Sequence, residues 1–404
     1  MEEEKAIIIE RPLYTARLLP YVNKNIIKIL TGQRRVGKSY ILKFIEGILK
    51  ERYPDGNFIT INLEDFAFSH IKDSKTLYDE IKSRLSTDKR NYIFIDEVQE
   101  VKDFDKVLRS IILDDKNDIY VTGSNSSMLS SEIASRLAGR SRDISVHALS
   151  YNEFLEFHSW EPSQQTLMWY LQYGGLPFLR NLPDKSTWSE YTEGIINAIV
   201  FRDVVARHSV RNSDFLQRLM LFLADNIGQI FSAKKISDYL KSQKISVSVS
   251  GVQDYLSYIA GAYIINQCRR WDVEGKKFFE IGEKYYYEDI GIRNALVGFK
   301  PNDLSGLIEN AVFNHLVIHG YKVKTGQIGK GKEIDFIAEK NAEITYLQVA
   351  TSIIEEETRE REFGNLKKIN DNYEKIVITH NDTYPNTYEG IKIFNLLDFL
   401  TTFK

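Results

Sequence analysis

Hydrophobic positions in the first 150 residues fall in short, nearly unbroken runs. They lie near 25–30, 58–62, 92–96, 119–123 and 143–147, and amphipathic segments separate them. Such runs read as strands buried on both faces. Their alternation with helical segments predicts an α/β fold around a doubly wound parallel sheet. From 151 to about 225 the pattern turns helical, at 151–158, 165–172, 188–205 and 214–226, with Tyr173-Gly174-Gly175-Leu176-Pro177 interrupting as a turn. Two short helices follow at 232–240 and 248–259, then two alternating segments at 263–270 and 276–287. Helix–turn–helix followed by a β-hairpin is a winged-helix pattern. Beyond 300, a helix opening at 307 precedes alternating segments at 321–325, 333–338 and 344–349.

The first run ends in Thr31-Gly32-Gln33-Arg34-Arg35-Val36-Gly37-Lys38-Ser39, and a helical pattern starts at Tyr40. G-x-x-x-x-G-K-S between a strand and a helix is a P-loop. Its glycines let the backbone close around phosphates, and the loop N–H groups with the helix N-terminus supply partial positive charge. Gly32, Gln33, Arg34, Arg35, Val36, Gly37, Lys38, Ser39 and Tyr40 are therefore the candidate ATP-binding residues. Lys38 is expected to reach the β- and γ-phosphates, and the Ser39 hydroxyl to ligate Mg²⁺.

The carboxylates this loop needs stand about sixty residues later. The apolar run at 92–95 ends in Asp96 and Glu97. Ligands of open parallel sheets bind outside the carboxyl ends of the strands. Asp96 is thus placed for the Mg²⁺ shell, and Glu97 for activating the attacking water. A third strand, at 118–121, ends in Thr122-Gly123-Ser124-Asn125. Ser124 and Asn125 are candidates to contact the γ-phosphate or the water, the alternative being a turn and helix cap. Arg136, Arg140 and Arg142 crowd the approach to the fifth strand. One of them, Arg140 foremost, is a candidate for stabilising transition-state charge in a neighbouring subunit, against plain solvation or structural ion pairing.

Together these residues resemble an AAA-type ATPase, and more narrowly a prokaryotic family of such ATPases. The likeness rests on Gly32 to Ser39, Asp96-Glu97-Val98-Gln99, Thr122-Gly123-Ser124 and Leu137-Ala138-Gly139-Arg140. It extends to Leu149-Ser150-Tyr151-Asn152-Glu153-Phe154 and the Gly174-Gly175-Leu176-Pro177 turn. The resemblance implies an ATPase core (1–155), a helical lid (156–228), a winged-helix segment (229–300) and a small α/β domain similar to restriction endonucleases (301–404). It also implies ATP hydrolysis with Mg²⁺ by a homo-oligomer, a hexamer-like ring being the default form, with DNA as a partner through the last two domains.

That final domain commonly carries an acid, then Glu-Ile-Asp, then Glu-Val-Lys. Here Glu309 and Glu333-Ile334-Asp335 are present, but the third element reads Gln348-Val349-Ala350. An amide replaces a metal-binding carboxylate, and a methyl replaces the lysine. The domain is expected to be a degenerate nuclease, with Glu309 and Asp335 left as surface or capping acids.

Composition narrows the rest. The 404 residues are 43% hydrophobic and 27% charged, an ordinary globular balance. A lone cysteine, Cys268, excludes an intrachain disulfide or a cysteine-based metal cluster. The acidic start lacks the basic region of a signal peptide, and no apolar stretch is long enough to span a membrane, so a cytoplasmic protein is expected. The net charge of −3 gives no global basic field. DNA binding would need a local patch, for which Lys234, Lys235, Lys241, Lys244, Arg269, Arg270, Lys276 and Lys277 are available; the alternative is protein packing with solvated lysines.

Overall fold

The computed structural model describes residues 9–404 except 125–135, 138, 211, 246, 330 and 381–384, with the backbone alone at 279–281. The chain divides into two compact units. One runs up to His147 and takes in Gly261–Tyr263; the other comprises Ala148–Ala260 and Ile264–Lys404.

In the first unit, β1 (Ile27–Thr31), β2 (Asn57–Asn62), β3 (Asn91–Asp96), β4 (Asn117–Gly123) and β5 (Ser141–Ser145) form a parallel sheet in the order β2-β3-β4-β1-β5. The inner strands β1, β3 and β4 are buried along their length, which explains the continuous apolar runs; on one face Ile27, Ile29, Ile93, Ile95, Ile119 and Val121 lie in one core with Leu77, Ile81 and Leu108. The latter come from α3 (Ser74–Arg84) and α4 (Phe104–Ile111), which follow α1 (Pro12–Leu18) and α2 (Lys38–Arg52). Asp73 and Thr76 start α3 with a reciprocal capping box, Asp73 accepting from the Thr76 N–H at 2.9 Å.

Lys28 departs from the apolar rule. It is fully buried in β1 and forms an ion pair with Asp118 of β4, whose carboxylate also accepts from the Tyr120 hydroxyl and the Asn23 N–H, both at 2.9 Å. Burial pushes the Lys28 amine down, and the Asp118 charge opposes that. Removing one member of such a pair costs about 3–5 kcal/mol.

Register then levels the strand ends. Thr31 lies opposite Gly123 and Ile95 opposite Val121, so the loop after β1, Asp96 at the end of β3 and Thr122 near the end of β4 come out side by side.

The second unit opens with helices α5 (Tyr151–His158), α6 (Gln164–Tyr173), α7 (Lys185–Ala198), α8 (Ser213–Asp225), α9 (Ala233–Ser242) and α10 (Val249–Gly261). A π-helical stretch, Ile199–Ala206, continues α7. Ser232 caps α9, accepting from the Lys235 N–H at 3.2 Å.

An eight-stranded sheet follows, in the order β12-β13-β11-β10-β9-β8-β6-β7. Its strands are β6 (Ile265–Asp272), β7 (Lys277–Tyr287), β8 (Lys322–Ile328), β9 (Lys332–Lys340), β10 (Glu343–Ala350), β11 (Glu374–Thr379), β12 (Thr387–Tyr388) and β13 (Ile391–Asn395). Its helices are α11 (Ile290–Val297), α12 (Leu304–Ile318), α13 (Glu356–Lys367) and α14 (Leu396–Thr402). The hairpin read in the sequence as a wing is β6–β7. It shares this sheet with the strands beyond residue 300, because Arg270–Asp272 pair in parallel with Thr325–Gln327. Backbone N–H and C=O groups on a strand edge need partners, and this pairing supplies them.

The Gly174-Gly175 turn is shaped by Asp289. This carboxylate caps α11 through the Ile292 N–H at 3.0 Å and accepts from the Gly175 N–H at 2.7 Å. At Gly174, with φ of +76°, a Cβ would stand 2.3 Å from Asp289 Oδ1. Burial lifts the Asp289 carboxyl to about 6, against the backbone hydrogen bonds that favour its charge.

Candidate active site

The loop after β1 starts at Gly32, whose φ is +149° and where a Cβ would lie 2.0 Å from the Val146 carbonyl oxygen. Only glycine fits there. Arg35 and Gly37 also take positive φ, 67° and 97°, and Gly37 turns the chain so that α2 begins at Lys38. The Lys38 ammonium donates to the carbonyls of Gly32 and Gln33 at 3.0 and 2.9 Å and lies 3.9 Å from Glu97 Oε1. It is 4% exposed.

Arg11, unremarked in the sequence, braces this loop from outside. Its guanidinium donates to the carbonyls of Val36 at 2.9 Å and His147 at 3.0 Å and stacks over Tyr14. Arg34 pairs with Glu64 at 3.3 Å. Tyr40 is half exposed beneath Lys43, and Arg35 is exposed. The Gln33 side chain is fully buried, and its amide atoms have no hydrogen-bond partner among the described residues.

Asp96 and Glu97 close the other side. The Thr122 hydroxyl donates to Asp96, and the Ser39 hydroxyl stands near enough to favour its charge. Thr122 also accepts from the Glu97 N–H at 2.9 Å, so one hydroxyl positions both acids. Burial raises the Asp96 carboxyl above its usual range, against the pull of these hydroxyls. Burial would raise Glu97 too, but the Lys38 charge and hydrogen bonds from Gln99 and Ser124 outweigh it and hold Glu97 below its usual value. Glu97 takes a left-handed backbone, φ 56°, which carries its side chain back toward Lys38. Gln99 links the pair further, its amide nitrogen donating to Glu97 and to Ser124 Oγ at 3.2 Å.

The arrangement is that of a P-loop and its acidic partner strand. Residues 24–155 match the family model of an AAA domain, and residues 164–303 match a domain of unknown function, DUF8612. An uncharacterised protein of Haemophilus influenzae is 33% identical over 97% of this chain and 98% of its own length. One of Methanocaldococcus jannaschii is 31% identical over 94% of this chain and 86% of its own. The chain belongs to a prokaryotic family of AAA-domain P-loop ATPases. A Walker-type ATPase of Pyrococcus abyssi shares the fold, with a TM-score of 0.52 at 17% identity over 72% of this chain and 97% of that one.

As the family would require, the donor set suits Mg²⁺ and a phosphate chain. A half-buried carboxylate, Asp96, and the Ser39 hydroxyl lie near each other, and the buried Lys38 ammonium stands next to Glu97. Lys38, Ser39, Asp96, Glu97 and Ser124 are thus brought together. Asn125 lies outside the described residues.

Arg140 is not brought to this site. It precedes β5, its carbonyl accepting from the Ile27 N–H at 2.8 Å, at the amino end of β1 and so the far end of the sheet from the loop. Its side chain is exposed. Arg136 pairs with Asp105 at 3.5 Å, and Arg142 stacks over Tyr21, so both have structural partners. No helix among the described residues is long and apolar enough to cross a membrane.

Glu309 and Asp335 are not the surface or capping acids that the sequence led us to expect. Both side chains are largely buried, 14% and 15% exposed, and converge on Lys284 of β7. A lysine twenty-five residues before Glu309 carries no sequence signal for this pairing, because the sheet and α12 bring the two together. Gln348 is buried, accepting from the Asp335 N–H at 2.7 Å and donating to Glu362 at 2.5 Å.

Proposed function

We propose that this protein is a Mg²⁺-dependent ATP hydrolase that couples turnover to conformational change in an oligomer and acts on DNA. The observation that carries the hydrolase reading is that Thr122 fixes Asp96 and Glu97 side by side while the P-loop Lys38 stands 3.9 Å from Glu97. Lys38 and the N-terminus of α2 neutralise the β- and γ-phosphates. Ser39 and Asp96 would hold Mg²⁺, which when bound adds charge neutralisation on the same oxygens. Glu97 orients the attacking water and accepts its proton, with Ser124 on the γ-phosphate side. The phosphate released carries away the charge that held Lys38 and Ser39, and this change is what the rest of the chain reads out.

Arg140 would complete a neighbour's site, since the strand separates it from its own. The DNA reading is supported by the exposure of Lys234, Lys235 and Lys241 on α9, Lys244 in the turn after it, and Arg269, Lys276 and Lys277 on the hairpin; Arg270 is instead committed to Gln327. The test is ATP turnover by the purified protein with Mg²⁺, which should vanish in Glu97→Gln while ATP binding persists. Absence of turnover in the wild type, with and without DNA, would overturn the reading.

A second reading has its own support. Glu97 is held by Gln99, which also bonds Ser124, an arrangement that suits a slow nucleotide-controlled switch acting on a protein partner. DNA-stimulated turnover favours the first reading, and slow turnover indifferent to DNA favours the second.

A further inference from the structure

Four carboxylates gather in the C-terminal sheet. Glu333 and Asp335 are two apart on β9 and so share a face, Glu309 comes from α12, and Glu362 from α13. The last is occupied by Gln348 at 2.5 Å and Arg361 at 2.7 Å. The other three surround one ammonium. Lys284 Nζ lies 2.7 Å from Glu309 Oε1 and 3.7 Å from Asp335 Oδ1, and pairs with Glu333 as well. Tyr286, two residues on along β7, donates to the same Glu309 oxygen at 2.5 Å. The second Asp335 oxygen is taken by the Val349 N–H at 2.8 Å.

Carboxylates brought this close must either take up protons or share a cation; Glu309 and Asp335 are 14% and 15% exposed, and Glu333, at 37%, stands at the rim. Two kinds would serve: a divalent metal ion or an ammonium. An ammonium has three N–H donors and no acceptor; here it donates to Glu309, pairs with Glu333 and faces Asp335 at 3.7 Å as a charge. Lys284 is 2% exposed, so water does not share the work. Burial alone would strip its proton; the charges of Glu309, Asp335 and Glu333 reverse that and hold it protonated. The methyl of Ala350 and the neutral amide of Gln348 add no charge to disturb the balance.

We propose that the Lys284 ammonium is the resident cation of this acid pocket, filling the place a divalent metal would otherwise take. The C-terminal sheet therefore assembles without metal, and any divalent-ion requirement of the protein reports on the P-loop alone. Removing the lysine's charge should open a cation site that the native protein lacks.

The experiment compares full-length wild type, Lys284→Arg, Lys284→Ala and the triple variant Lys284→Ala/Glu309→Gln/Asp335→Asn. All carry Asp96→Asn to silence the nucleotide site. Thermal unfolding is followed with and without millimolar Mn²⁺, and bound Mn²⁺ is counted by electron paramagnetic resonance. Wild type and Lys284→Arg should neither bind Mn²⁺ in this pocket nor shift. Lys284→Ala should melt several degrees lower, bind one Mn²⁺ and regain several degrees from it, and the triple variant should lose that response. A folded Lys284→Ala protein indifferent to Mn²⁺ would overturn the proposal. Should Lys284→Ala fail to fold, the wild type decides against its own Glu309→Gln variant. Stoichiometric Mn²⁺ in the former that is missing from the latter sinks the proposal, and no binding in either supports it.

Discussion

The Gln99 amide nitrogen donates to the Glu97 carboxylate, the group positioned to activate water. The same nitrogen reaches Ser124 Oγ, so three side chains from two strand ends form one clasp. Together with Lys38 it holds Glu97 in the charged form and lowers its basicity. Glu97→Gln should bind ATP normally and lose about 10²–10⁴-fold in turnover. Gln99→Ala should raise basal turnover several-fold with ATP affinity unchanged, because one charge-assisted hydrogen bond no longer restrains the base. Single-turnover hydrolysis distinguishes these; a fall in Gln99→Ala would make Gln99 an aid to catalysis instead of a restraint.

The loop itself depends on two cations. Lys38→Ala should weaken ATP binding by about 10–100-fold, through loss of the charge that meets the phosphates. Arg11→Ala leaves that charge intact but frees the Val36 and His147 carbonyls. It should lower the melting temperature by several degrees and raise KM more than it lowers kcat. Equal binding constants in Arg11→Ala and wild type would confine Arg11 to folding.

Arg140 stands at the amino end of the sheet and the P-loop at the carboxyl end of β1. A role in hydrolysis must therefore cross a subunit boundary. Arg140→Ala should bind ATP and hydrolyse it about 10³-fold more slowly. Mixed with Glu97→Gln, it should recover part of the lost activity, since some interfaces then join an intact Glu97 to an intact Arg140. Proven subunit exchange without recovery would return Arg140 to a surface role.

Asp289 gives a pH signature. Its carboxyl is raised from 3.8 to about 6 by burial, so the folded state holds its proton more tightly than the unfolded chain. That contribution is fully present below pH 3.8 and is lost as pH rises through about 6. Asp289→Asn carries no such proton. Relative to wild type, its melting temperature should therefore climb as pH moves from about 4 to 7. A constant difference across that range would show that Asp289 stays charged when folded.

The purified protein with Mg²⁺ or Mn²⁺ should not cleave linear, circular or branched DNA. Gln348 and Ala350 leave the pocket short of a carboxylate and a lysine, and Lys284 is spent as a counter-ion. Cleavage that disappears in Asp335→Ala would reverse this reading.

Local pattern carried the nucleotide site a long way. The spacing of Gly32, Gly37, Lys38 and Ser39, and an apolar run ending in Asp96-Glu97, were legible because strand, loop and helix N-terminus are short-range structures. The three inner strands were legible because burial on both faces leaves continuous apolar runs, whereas the edge strands β2 and β5 are partly exposed. Thr122 and Gln99 were visible in the same motifs, but not their bonds to Asp96 and Ser124, which depend on neighbouring strands ending level. The Gly174-Gly175 pair read as a turn, whereas the need for glycine there comes from Asp289, more than a hundred residues away.

The sequence by itself determined the elements and the chemistry of the phosphate loop, because both are written in residues a few positions apart. Only the tertiary structure decided that Arg11 braces the loop, that the β6–β7 hairpin continues the C-terminal sheet, and that Lys284 neutralises Glu309, Glu333 and Asp335. The physical reason is common to all three. A buried charge or an open strand edge must find a partner, and the partner it finds is set by which segments the fold brings into contact, not by their distance along the chain.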